Sequence, residues 1–198
     1  MNIEEGARMS RHLIVGFSGS TASNSYNTKL LRAFGELVPK DVEFQVIQGL
    51  ENLPFYSPDL EGEKLPEQAR LLRDTVRSAD GLVVASPEYN YSYTALAKNV
   101  IDWLSRPYGT HPLVDKAVAV IGASQGLLGT VRAQLHLRDV LHATQSDVLS
   151  RPEVFVTQAA SKFDANGHLT DAPTRELLAA LVDAFMEHSG RPVTEQVA

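Results

Sequence analysis

Apolar runs and amphipathic stretches alternate along these 198 residues in the manner of one doubly wound α/β domain with a mainly parallel sheet. Three observations carry that reading. The runs His12–Phe17, Gly81–Ala85 and Ala117–Gly122 are too short for helices and apolar at successive positions, as strands covered on both faces must be. Between the runs the apolar residues change to helical spacing. Two further strand candidates, Val42–Ile47 and Glu153–Thr157, are alternating or short, which places them at the edges and gives the order 2-1-3-4-5 in a five-stranded sheet. A six-stranded dinucleotide-type order would bury the second strand, against its alternating pattern.

Each element has a local reason. Leu30, Ala33, Phe34, Leu37 and Val38 form a first helical stripe that Pro39 ends. Gly49–Glu63, with Pro54, Tyr56 and Pro58, reads as a loop. Leu65, Ala69, Leu72 and Val76 make a second helix with Pro66 in its first turn. Leu96, Val100 and Leu104 make a third, stopped by Pro107, and Thr110–Lys116 is a polar connection. Ala133, Leu137, Val140 and Leu141 form the fourth helix. After the connection Ala159–Thr170, the residues Leu178, Leu181, Val182 and Phe185 define a closing helix capped at Thr170 or Asp171. The domain is expected over 12–190, between a loose N-terminal tail of residues 1–11 and a C-terminal tail of 191–198.

Composition removes whole classes of chemistry. No cysteine is present, so disulfides, thiol nucleophiles and cysteine-ligated zinc are excluded, which is compatible with a reducing cytoplasmic location. A net charge of -6 lacks the basic surface that nucleic-acid binding needs. No window approaches the roughly 18 apolar residues of a membrane span, and residues 1–11 are too charged for a signal peptide. The six histidines have no compact ligand spacing, and Gly-x-Ser-x-Gly is absent, so neither a metal site nor a Ser-His-Asp site is expected.

Chemistry-bearing residues collect after the first, third and fourth strands, whose C-terminal ends share one edge of such a sheet. After the first comes Ser18–Asn27, a run of hydroxyl and amide residues leading into a helix. Unpaired N–H groups and the helix dipole there favour a phosphate, and Ser18, Ser20 and Ser25 add hydroxyls; such a run by itself is more often a plain turn with an N-cap, and it is its place after the first strand, paired with the loop after the third, that favours phosphate. After the third comes Pro87–Tyr93, with Glu88, Tyr89, Asn90, Tyr91 and Tyr93: an aromatic wall with a few directional polar groups, suited to a flat conjugated ring. The tyrosines can also be packing residues whose hydroxyls find partners. After the fourth comes Ser124–Gly129, with Gln125 and Gly126, where glycine lets backbone approach a ligand.

Pro87-Glu88-Tyr89-Asn90, followed by Leu96, Lys98-Asn99, Ile101-Asp102-Trp103 and Ser105-Arg106-Pro107, resembles the signature of the NADPH-dependent FMN reductases, a flavodoxin-like family that includes quinone, azo-dye and chromate reductases. The family's first loop, Gly-Ser-x-Arg-x-x-Ser-Phe-Asn, is matched by Gly19, Ser20, Ser25, Tyr26 and Asn27, with Ala22 in the arginine's place. The resemblance implies a flavodoxin-like fold and FMN held at its phosphate by Ser18, Ser20, Ser25, Tyr26 and Asn27. It further implies a ring lying along Pro87, Glu88, Tyr89 and Asn90 and closed by Ser124, Gln125 and Gly126. NADPH or NADH would then give hydride to the flavin, which would pass it to a quinone, azo compound, metal oxyanion or free flavin in a ping-pong cycle. It also implies a homodimer or homotetramer. Because Ala97, Ile101 and Trp103 widen the third helix's apolar face, the subunit contact is expected to include Trp103 and the Tyr91–Tyr93 region. The rival readings are an electron carrier of flavodoxin type and a flavin-free interaction module that has kept the fold.

Overall fold

The computed structural model describes residues 11–190, so the expected tails lie, apart from Arg11, outside the described residues. Strands and helices alternate: β1 (His12–Ser18), α1 (Tyr26–Leu37), β2 (Val42–Val46), α2 (Glu67–Ser78), β3 (Gly81–Ala85), α3 (Ala95–Leu104), β4 (Ala117–Ala123), α4 (Val131–Ala143), β5 (Asp147–Val148), β6 (Val154–Val156) and α5 (Ala172–His188). Every pair of strands is parallel, and the first four stand in the expected order β2-β1-β3-β4; the expected fifth strand, Glu153–Thr157, is β6, which lies beside β4 as predicted, and β5 joins it there.

Among the described residues the sheet has six strands rather than five. Two short strands share the far side of β4: β5 pairs with Ala117 and Val118, and β6 with Ile121 to Ala123. Between them Pro152 has no N–H to give to a ladder, and a strand as short as Asp147–Val148 is too brief to leave a periodicity in sequence.

Alternation along the buried strands divides the core. Ile14, Val83, Ala85, Ala119 and Ile121 pack against α1 and α5, whereas Val15, Leu82, Val84, Val118 and Val120 pack against α2, α3 and α4. Helix starts are set by side chains: Ser25 Oγ accepts from Thr28 N–H, Thr94 Oγ1 from Ala97 N–H, and Asp171 from Thr174 N–H. Pro66 stands at the N-cap of α2, one position before the helix rather than within its first turn.

The connection from β2 to α2 carries three single 3₁₀ turns, Leu50–Asn52, Pro58–Leu60 and Gly62–Lys64. It is strapped down onto α3. Asn99 accepts from Tyr56 N–H at 2.8 Å and donates to Pro54 O at 3.0 Å, while Trp103 Nε1–H donates to the same carbonyl at 2.7 Å. Arg106 donates to the Tyr56 hydroxyl at 3.0 Å, and Arg73 joins Glu61 to the Trp103 carbonyl. Much of the signature around Lys98–Pro107 therefore holds a long connection in place.

That strap takes Trp103 out of the expected subunit contact, whereas Tyr91 of the Tyr91–Tyr93 region stays exposed. Trp103 and Ile101 are 0 % exposed within the single chain, and Tyr56 lies edge-on to the indole at 5.2 Å. The wide apolar face of α3 is spent inside the domain, between the sheet and the 49–64 connection. Burying a large apolar side chain is worth about 1.5–3 kcal/mol, so a charge at Trp103 or Ile101 unfolds the chain rather than splitting a dimer.

Candidate active site

Over the C-terminal ends of β1, β3 and β4 lies a cleft of about 390 Å³. Its lining joins all three expected loops: Ser20, Ser25, Tyr26 and Asn27 from the first, Pro87, Glu88 and Tyr89 from the second, Ser124 and Gln125 from the third. Ser18, Asn90 and Gly126 stand outside this wall, whereas Ala22, Asn24 and Ala123 belong to it. Ala22 and Asn24 come in on the first loop, whose hydroxyl and amide run already includes Asn24, and Ala123 comes in on the end of β4.

The first loop is held from below. Gly19 N–H donates to Ala85 O at 2.7 Å and Thr94 Oγ1–H to Gly19 O at 2.6 Å, so the cap of α3 also seats the loop. A Cβ on Gly19 would lie 2.8 Å from that Thr94 hydroxyl, too close for any other residue. Sequence reading passed over Thr94, although a threonine just before an apolar helical stripe is a recognisable cap. Within the loop, Ser18 Oγ accepts from Ser20 N–H and Ser20 Oγ from Ala22 N–H. The N–H groups of Asn24, Tyr26 and Asn27 meet no acceptor in the described chain. Free donors at the first turn of α1, beside the hydroxyls of Ser20 and Ser25, are the donor set a phosphate takes. Among the described residues no cationic side chain lines the cleft, Ala22 standing where the family carries arginine.

Asn27 faces inward. Its amide donates to Ala123 O and accepts from Ala123 N–H, both at 2.9 Å, and the residue is 2 % exposed. It thereby ties α1 to the end of β4 and sets the distance between two walls of the cleft. Only its backbone N–H remains for a ligand.

The second loop is a two-residue hairpin. Tyr89 and Ser92 exchange backbone hydrogen bonds at 2.9 and 3.1 Å, with Asn90 at φ 50 and Tyr91 at φ 67 between them. A tyrosine in left-handed backbone is strained by roughly 1–3 kcal/mol. The guanidinium of Arg132, 4.1 Å from the Tyr91 ring centroid, offsets part of that. Glu88 is committed elsewhere: its carboxylate accepts from the N–H groups of Arg132 at 3.0 Å and Ala133 at 3.2 Å, capping α4, where Thr130 makes no side-chain cap. Tyr93 packs against the core beside Leu96, and burial pushes its phenol pKa up, with nearby Lys98 working the other way. Lys98 itself pairs with Asp102 at 2.6 Å.

In the third loop Gly129, at φ +61, packs against the backbone of Phe155, so its lack of a side chain serves β6 rather than a ligand. At Gly126 a Cβ would find open space apart from Ser124 Oγ at 3.4 Å. Gln125 presents a backbone N–H without an acceptor in the described chain. Leu127 and Leu128, together with Tyr89 and Tyr91, leave an exposed apolar rim beside the cleft.

A parallel sheet of order 2-1-3-4-5 with a polar cleft above the point where the strand order reverses defines a flavodoxin-like nucleotide-binding protein. Flavodoxin 1 from Bacillus cereus has the same fold, at 15% identity and a TM-score of 0.56 over 89% of this chain and 97% of that one. The model of NADPH-dependent FMN reductases matches residues 13–161, and the chain belongs to that family. An NAD(P)H-dependent FMN reductase of Pseudomonas aeruginosa is 39% identical over 172 residues, 87% of this chain and 92% of that protein. A 2-hydroxy-1,4-benzoquinone reductase of a Burkholderia species is 36% identical over 84% of this chain and 90% of its own length. Among solved structures, the NAD(P)H:(acceptor) oxidoreductase FerB of Paracoccus denitrificans superposes with a TM-score of 0.83 at 34% identity, over 90% of this chain and 97% of that one. The protein is thus an oxidoreductase with FMN as cofactor and a reduced nicotinamide nucleotide as co-substrate.

Proposed function

We propose that this enzyme takes hydride from NAD(P)H and passes it to a quinone-type acceptor in a ping-pong cycle, with FMN seated in the cleft between the three loops. The observation that supports it most directly is the convergence of three loops, far apart in sequence, on one cleft whose phosphate end offers free backbone donors. Bound FMN would supply the redox chemistry, taking hydride at N5 and returning it, with a proton from solvent, to the second substrate. The free N–H groups of Tyr26 and Asn27 and the hydroxyls of Ser20 and Ser25 would hold the phosphate, neutral donors replacing the absent arginine. Pro87 and Tyr89 would lie along the ring. The Gln125 N–H would face the ring's pyrimidine side, where negative charge grows on reduction. No side chain is needed as acid or base, and Glu88, spent on α4, is not one. A hydroxylated benzoquinone, the substrate named for the Burkholderia relative, is the acceptor class to try first. Consumption of a reduced nicotinamide nucleotide goes with a cytoplasmic location.

The apolar rim formed by Tyr91, Leu127 and Leu128 is where a second copy of the chain would sit, in place of the buried face of α3. Leu127→Glu with Leu128→Glu would then give a folded monomer.

Stopped-flow reduction by NADPH followed by reoxidation with a quinone, and identification of the released cofactor, test the central reading. FAD on release, or intersecting rather than parallel initial-rate lines, would overturn it. Ser20→Ala with Ser25→Ala should weaken FMN binding by about 1.5–3 kcal/mol for each lost hydrogen bond to the phosphate; an unchanged dissociation constant would put the phosphate elsewhere.

A further inference from the structure

A second cleft, of about 450 Å³, opens on the other side of the Ser18–Asn27 loop. It lies between that loop and the residues leaving β2, and Ser20 belongs to the lining of both clefts. Its lining has two chemistries. Val46, Ile47 and Leu50 make it apolar on the side of β2, and Ser23, Thr28 and Arg32 bring two hydroxyls and a guanidinium from the loop and α1.

Among the described residues, Arg32 is the one cation in that lining. The residue is exposed, and among the described residues its guanidinium has no hydrogen bond, ion pair or ring contact. Every arginine from α2 to α5, by contrast, holds an acceptor in the chain. Thr28 and Arg32 are four residues apart on α1 and so share a face. An uncommitted guanidinium beside hydroxyls is a phosphate-binding set, and an apolar wall next to it accepts a purine. Glu51, the one carboxylate among the described residues of the lining, suits a ribose hydroxyl and disfavours a phosphate on its own side.

We propose that the second cleft takes the adenosine end of NADPH, with Arg32 on the 2′-phosphate, so that Arg32 sets the preference for NADPH over NADH. The assignment rests on the reading that FMN and a nicotinamide nucleotide meet in the first cleft. The two clefts share Ser20, so the dinucleotide would bridge them, its nicotinamide in the first and its adenosine in the second. NADH leaves the guanidinium unpaired, whereas NADPH supplies its acceptor.

The test uses FMN-saturated protein and two fragments, 2′,5′-ADP and 5′-AMP, titrated by calorimetry into wild type and Arg32→Ala. Wild type should bind 2′,5′-ADP about 10- to 100-fold more tightly than 5′-AMP, the range of one hydrogen-bonded charge pair, and Arg32→Ala should remove most of that difference. KM for NADPH should rise in the variant while KM for NADH and both kcat values stay unchanged, and Arg32→Lys should restore part of the preference. Equal affinity of wild type for the two fragments would overturn the assignment, as would equal effects of Arg32→Ala on NADPH and NADH. Weaker FMN binding by Arg32→Ala would also overturn it, since it would put the guanidinium on the flavin phosphate. A protein that takes up FMN and oxidises NADH yet fails the fragment comparison sinks only the role of Arg32; one that takes up no FMN sinks both readings.

Discussion

Replacing Glu88 by alanine should cost stability before it costs chemistry. The Glu88 carboxylate accepts from the N–H groups at the second and third positions of α4, forty-odd residues away in sequence, and its side chain is only 13% exposed. Thr130 is not available as a substitute cap, because its hydroxyl already accepts from Gln134 at 3.0 Å. Losing a cap costs about 1 kcal/mol, and losing a negative charge at a helix N-terminus a further 0.3–1 kcal/mol or so. The Arg132 ion pair, at 3.5 Å with a half-exposed guanidinium, adds little. Glu88→Ala should therefore destabilise by about 2 kcal/mol, and in a domain of this size that lowers Tm by roughly 4–8 °C. Glu88→Gln keeps an acceptor oxygen and loses the charge, so it should cost about half as much. Urea melts of flavin-free protein measure both without the stabilisation that a bound ligand adds. Amide exchange at Arg132 and Ala133 should quicken in parallel. A loss within 0.5 kcal/mol for Glu88→Ala, or equal losses for the two variants, would refute the capping argument.

Other outcomes follow from the same geometry. Asn27→Leu leaves the Ala123 N–H and carbonyl without their buried partner, so it should destabilise by about 3 kcal/mol and loosen FMN binding as two walls of the cleft drift apart; equal melting midpoints would count against that pairing. His111 is 5 % exposed with its Nδ1 unpartnered, and burial, helped by the nearby Arg106, pushes its pKa down from 6.5. Below pH 6.5 the unfolded chain then binds the proton that the folded chain refuses, so this residue withdraws stability as pH falls from 6.5 toward the lowered folded value and contributes nothing above 6.5. Urea melts at pH 7.5, 6.5 and 5.5 should accordingly show a smaller acid loss in His111→Leu than in wild type; identical slopes would remove His111 as the cause.

Much of this protein is set by its chain locally. Residues apolar at successive positions, such as Leu82–Ala85, can only be strands covered on both sides, and the alternation of Val42–Val46 can only sit at an edge, so sheet order and helix count follow from pattern alone. The three loops at the strand ends follow from that order, and with them most of the cleft lining. Tertiary contact decided the rest, because side chains choose partners by distance in space and not by spacing in sequence. Glu88 and Asn27 read as ligand groups, but the carboxylate is taken by the start of α4 and the amide by the end of β4. Trp103 reads as an interface residue until the 49–64 connection folds over it and accepts its indole N–H. The strand Glu153–Thr157 is legible and is β6, but β5 is invisible in sequence: two residues carry no periodicity, and only pairing with Ala117 and Val118 of β4 makes Asp147–Val148 a strand.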